Sequence, residues 1–146
     1  MRYLVLIACG FLLSCNSGEH EHSEDNNASV AKTLSDSLYK EVMHGHDRGM
    51  AKMGEIQRCK KMIQQQQDSI SKLKTKDLPR LSRLDSLAQD LVYAEELMNK
   101  WMQEFDPNKA GNAEEEKVAF YTKEKEKVDT VEARIENSID RAKRAL

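Results

Sequence analysis

The residues richest in coordination chemistry fall in two short stretches. Glu41-Val-Met-His-Gly-His-Asp-Arg-Gly-Met-Ala-Lys-Met53 puts His46, Met50 and Met53 on one face of a helix, with Met43 one turn earlier. The second stretch carries Met98, Trp101, Met102 and Phe105. Thioether sulfur and imidazole nitrogen are the ligand set for Cu(I), and an indole beside such a site shields the ion. His46, Met50, Met53 and Met102 therefore form the candidate metal set, and copper(I) or silver(I) is the cofactor it would take. The same pattern also fits plain core, because methionine fills irregular gaps and packs on aromatic rings. His20-Glu21-His22, with Glu19 and Glu24, offers imidazole and carboxylate to a divalent ion; a solvated acidic segment has that composition too.

No catalytic residues are assigned, and an enzyme is not expected. The chain has no glycine-rich phosphate loop, no strand-turn-helix around a nucleophile, and no paired His and carboxylates at a metal-hydrolase spacing. Cys59, between Ile56 and Ile63, reads as a half-buried, inert thiol. The net charge of −2, which Arg2 helps to set, gives no basic surface for nucleic acid.

The elements that must position these side chains are helical. Charged residues make up 33% of the chain and aromatics 5%, with only two prolines, which is the composition of long exposed helices over a thin core. Leu34, Leu38, Val42, His46, Met50, Met53, Ile56, Ile63, Ile70 and Leu73 recur at three- and four-residue steps and predict a first helix over about 29–76. Gly45, Gly49 and Gly54 each weaken it by ~1 kcal/mol relative to Ala and predict a bend near 45–54. Proline is tolerated in a first turn and disfavours helix in the residue before it, so Leu78-Pro79 opens a second helix, about 79–105, which Asp106-Pro107 stops. Residues 107 to 112 form a loop, and Asn112 with Glu115 matches a capping box for a third helix, about 113–145. Val118, Tyr121, Val128, Ile135, Ile139, Ala142 and Leu146 carry its seam, while Lys123-Glu-Lys-Glu-Lys127 reads as a solvated face.

These lengths predict an all-α fold, an up-down-up three-helix bundle, with an extended coiled-coil-like assembly as the alternative. Folding the second helix back from a turn at about 78 puts Phe105 beside residue 51 and returns Leu146 to the level of Lys76. Residues 29 to about 42 then project beyond the bundle. Lys60, Gln67, Lys125 and Glu132 interrupt the seams and suit a strict two-stranded coil poorly.

Residues 1–14 differ from the rest: Arg2 precedes an apolar run from Tyr3 to Leu13, and no acid appears before Glu19. Eleven residues at ~1.5 Å each cover roughly 16 Å, about half of a ~30 Å hydrocarbon core, so the run suits an export signal and not a permanent span. Leu12-Leu13-Ser14-Cys15 at its end resembles the lipobox of bacterial lipoproteins. That resemblance implies a diacylglyceryl group on the Cys15 thiol, cleavage before Cys15 by signal peptidase II and acylation of the new amino group. The membrane is then a partner through the lipid anchor. Cys9 leaves with the leader, and Cys59 alone cannot form an intramolecular disulfide. Residues 15–28 form a lipidated, acidic, flexible tether, since 16 to 27 contain no apolar side chain. Asn16 in place of Asp lacks the inner-membrane retention signal of enteric lipoproteins, which favours the outer membrane; acidic residues after the lipidated cysteine loosely resemble surface-export signals.

Glu41 to Ile56 and Glu95 to Phe105 also resemble a group of small envelope lipoproteins labelled "viral A-type inclusion protein". The resemblance rests on the lipobox, on His46, Asp47, Met50, Lys52 and Met53, and on the Trp101-Met102 pair, and it spans most of residues 35 to 145. It implies no activity. The expected function is a non-enzymatic structural or interaction lipoprotein of the bacterial envelope with a protein partner there. A periplasmic Cu(I)/Ag(I)-binding module and a holdase-like chaperone are the alternatives.

Overall fold

Residues 33–146 are described by the computed structural model; the leader, Cys15, the tether, His20 to His22 and the predicted helical residues 29–32 lie outside them. Thr33 opens the first helix, its hydroxyl accepting from the Asp36 N–H at 3.1 Å while the Asp36 carboxylate accepts from the Thr33 N–H at 3.3 Å. Helix α1 (Leu34–Ala51) leads into α2 (Met53–Ser71) through a one-residue break at Lys52. There the Lys52 N–H bonds to the Gly49 carbonyl at 3.0 Å and the Glu55 N–H to the Lys52 carbonyl at 2.9 Å, the tighter three-residue pattern. The break falls within the segment where the glycines predict a bend.

Helix α2 ends at Ser71, five residues before the predicted end, and Lys72 to Lys76 form an irregular turn. Asp77 caps α3 (Leu78–Glu104) by accepting from the Arg80 N–H at 3.0 Å, with Pro79 in the first turn as expected. After Phe105, the Asp106 carboxylate accepts from the Asn108 N–H at 3.0 Å and a 3-10 turn runs from Pro107 to Ala110. Gly111 then adopts φ +80, a left-handed backbone that a side chain resists. Helix α4 (Glu114–Ala145) is capped one residue later than predicted: Glu116, not Glu115, reaches back to accept from the N–H groups of Asn112 and Ala113 at 3.1 and 3.2 Å.

The result is an all-α bundle: α1 and α2 form one arm, α3 runs back along it, and α4 returns. Its core combines Val42, Ile56, Ile63, Leu84, Leu91, Met98, Val128 and Ile135. Burial of one such side chain contributes about 1.5–3 kcal/mol, so truncating Leu91 or Ile135 to Ala removes about 2–5 kcal/mol.

The predicted register needs correction. His46 meets Met102, and Arg80 meets Gln66, so α1–α2 and α3 pivot about the 72–77 turn and not about residue 78. Phe105 therefore lies beyond residue 51, at the level of the first half of α1. The side chain of Gln66, not the neighbourhood of Lys76, meets the Leu146 carbonyl at 3.1 Å. Nor does the start of α1 project. Glu114 accepts from the Ser35 N–H at 2.9 Å and from its hydroxyl at 2.8 Å, and Tyr39 packs edge-on against Tyr121 with centroids 5.4 Å apart. Helices α1 and α4 start together and run parallel.

Candidate functional site

Val42, Gly45 and Gly49 form the buried face of α1, and His46 emerges between them toward α3. A Cβ at Gly45 would stand 2.9 Å from Cγ1 of Val128, and one at Gly49 would overlap the end of the Met98 side chain. The glycines bring α1 close enough for its His46 to touch a side chain of α3. His46 Nε2 lies 3.2 Å from Met102 Sδ, and His46 Nδ1 lies 3.0 Å from the Asp47 carboxylate. The imidazole also sits over Trp101, centroids 5.8 Å apart and planes 34° apart.

Trp101 is fixed by α4 and by the end of its own helix. Its indole N–H donates to Glu124 of α4 at 3.1 Å, and its ring stacks on Phe105 at 4.9 Å. Glu124 is 7% exposed and also accepts from Lys127 at 2.6 Å, so the expectation that 123 to 127 form a solvated face fails at this residue. A buried indole N–H needs an acceptor, and a carboxylate one turn before Val128 on the inner seam supplies it. Sequence reading missed Glu124 because its neighbours in the charge run look identical. The position had a signal nonetheless: it continues the Val128, Val131, Ile135 spacing by one turn.

Of the four candidate ligands, His46 and Met102 are in contact. Met50, one turn beyond His46, is 39% exposed. Met53 begins α2 beyond the Lys52 break and packs against the core cluster. Among the described residues no three His, Cys, Asp or Glu side chains converge as a harder metal site. Cys59 is fully buried rather than half-buried, and that burial pushes its thiol upward from the ordinary range, which keeps it protonated.

Two charged clusters brace this geometry. Arg48 forks onto Glu132 of α4 with two bonds of 2.6 Å, and the Glu132 contact is the chief cause that raises its guanidinium pKa. Asp90 of α3 accepts from both Arg134 and Arg141 of α4. Beside Trp101, between α3 and α4, a groove of about 450 Å³ is lined by Leu97, Trp101 and Val131 and edged by Lys100, Lys123 and Lys127. No described helix is long and apolar enough to cross a membrane. Compared with known protein families, with curated proteins and with solved structures, the chain matches none.

Proposed function

We propose that this chain is a lipid-anchored, non-enzymatic protein of the bacterial envelope, whose helical bundle serves as a structural or interaction module at the membrane surface. The observation that carries the reading is the order of segments: a short apolar leader behind Arg2, Leu12-Leu13-Ser14-Cys15, a stretch from 16 to 27 without apolar side chains, then the helices. Two or more acyl chains at ~0.8 kcal/mol per buried CH₂ anchor such a chain stably. The bundle supports the reading by its own make-up. Its core is closed by aliphatic side chains, its surface is crossed by ion pairs between helices, and the groove at Leu97, Trp101 and Val131 leaves apolar area for a partner.

The test is metabolic labelling with a palmitate analogue followed by detergent partitioning. The wild-type chain is expected to take label and enter the detergent phase. Cys15→Ala is expected to lose the label and either move to the aqueous phase or persist as the uncut precursor. A labelled Cys15→Ala protein of mature size in the detergent phase would refute the anchor.

A further inference from the structure

The contact between His46 and Met102 poses a chemical question. The Asp47 carboxylate can accept only at Nδ1, and in the tautomer that carries its proton there Nε2 presents a lone pair. Thioether sulfur carries no proton and only accepts. In that tautomer two electron-pair donors face each other at 3.2 Å, an arrangement that a soft cation between them would satisfy. Carboxylate, imidazole and an open ring nitrogen in this order are also how metal-binding histidines are held.

We propose that His46 Nε2 and Met102 Sδ are two ligands of a site for a monovalent soft metal ion, Cu(I) or Ag(I). Met50 supplies a thioether from the surface side, and the Trp101 indole shields the ion. This inference stands apart from the lipid anchor and holds or fails without it.

The geometry is close to what such an ion needs. With bond lengths of the Zn(II) kind, ~2.0 Å to nitrogen and ~2.3 Å to sulfur, at a tetrahedral angle, a d¹⁰ ion separates its two ligands by ~3.5 Å, and the larger Ag(I) by more, so the pair opens by at least a few tenths of an ångström on binding. The three rotatable bonds of methionine absorb that difference. Met50 stands one helical turn, ~5–6 Å, beyond His46 and is exposed, so its thioether has room to swing in. The indole cannot turn away, because Glu124 holds its N–H and Phe105 stacks on its ring. A cation beside that ring gains from the π face and is screened from water. Soft ligands without a thiolate select Cu(I) and Ag(I) over Zn(II), which prefers thiolate, imidazole and carboxylate. Met53 lies beyond the Lys52 break, at the start of α2, and is not part of the proposed set.

The experiment is a titration of the full chain, in detergent, with Ag(I), read by tryptophan emission. Trp101 is the single tryptophan, so its emission reports this site and not the thiols of Cys9, Cys15 or Cys59. Emission is expected to quench with one-to-one saturation at submicromolar free Ag(I), and Zn(II) to have no effect. Met102→Leu, which keeps apolar volume, and His46→Asn are each expected to weaken the response at least tenfold, and Met50→Ala to weaken it severalfold. Absence of quenching, or quenching undiminished in folded His46→Asn or Met102→Leu, would overturn the site. Should both variants unfold, the His46 side-chain nitrogen resonances of the wild type decide: Nε2 must shift on adding Ag(I), and an unmoved Nε2 excludes the site.

Discussion

Helices α1 and α2 follow each other along one arm of the bundle yet hold to it by opposite means. The buried face of α2 is made of three large side chains, Ile56, Ile63 and Ile70, with the Cys59 thiol between them. That of α1 has one aliphatic residue, Val42, with Ser35, Gly45 and Gly49. Large residues act as spacers and fill the gap to the neighbouring helix. Glycines remove the gap, so that the α1 backbone lies against Val128 of α4 and Met98 of α3. The partners differ accordingly: α1 packs chiefly on α4, and α2 chiefly on α3, with the change at Lys52. Apolar burial therefore does most to hold α2, with the Lys60–Glu95 and Glu55–Lys143 pairs at its edges, whereas close approach, a carboxylate clamp at Ser35 and the Arg48–Glu132 fork hold α1. Only the second manner of packing brings a polar ring such as His46 into contact with a side chain of the facing helix.

Adding a large side chain to the glycine face should break the comparison most visibly. Gly49→Leu pushes into Met98, which is fully buried, and is expected to cost about 3 kcal/mol in chemical denaturation, the upper end for overpacking. Gly45→Ala is a finer probe. It gains ~1 kcal/mol of helix propensity and meets Cγ1 of Val128, whose branched side chain cannot swing aside, so a net loss of about 1 kcal/mol is expected. Stabilisation by Gly45→Ala would show that α1 does not approach α4 as described. Gly54 sharpens the contrast from the other side. Its Cβ would meet only the end of Arg58 at 3.7 Å, so Gly54→Ala is expected to gain about 0.5–1 kcal/mol and raise the melting temperature.

The smallest effect is electrostatic and local. The Ser35 N–H, and then its hydroxyl, hold the Glu114 carboxylate below the usual range. A depressed carboxylate contributes stability above its unfolded pKa, ~4.3, and loses it as the pH falls through the lower folded value. The amides of the first turn of α1 are accordingly expected to lose protection on acidification below about pH 4, and Glu114→Gln to abolish that dependence at Ser35. Lys143 similarly depresses Glu55 on α2, and that acid dependence should survive in Glu114→Gln.

Much of this architecture could be read from the chain because local chemistry marks it. Asp77-Leu-Pro opens α3, Asp106-Pro107 closes it, and the Val128, Ile135, Ile139 seam faces inward. The register was not legible. Lys72-Leu-Lys-Thr-Lys76 contains good helix formers and neither glycine nor proline, so nothing local says that α2 stops at Ser71. That error of one to two turns passed directly into the level predicted for Phe105. Propensity, a property of the isolated helix, is what the sequence shows of the glycines, whereas their role depends on which helix lies opposite. Glu124 was hidden for the same reason. As for the candidate site, the residue types of His46 and Met102 announce the chemistry, but only the fold shows that it is Met102, of the methionines available, that lies against His46.

The docking of α1 is what both the bundle and the His46–Met102 contact depend on, and native-state hydrogen exchange of the full chain at neutral pH measures it directly. Docked as described, the amides from Leu38 to Met50 should be protected to the same degree as those around Val128 and Ile135, since they open only with the bundle. If those α1 amides instead exchange orders of magnitude faster than the α4 amides beside them, α1 is a projecting helix and the close approach at Gly45 and Gly49 does not exist.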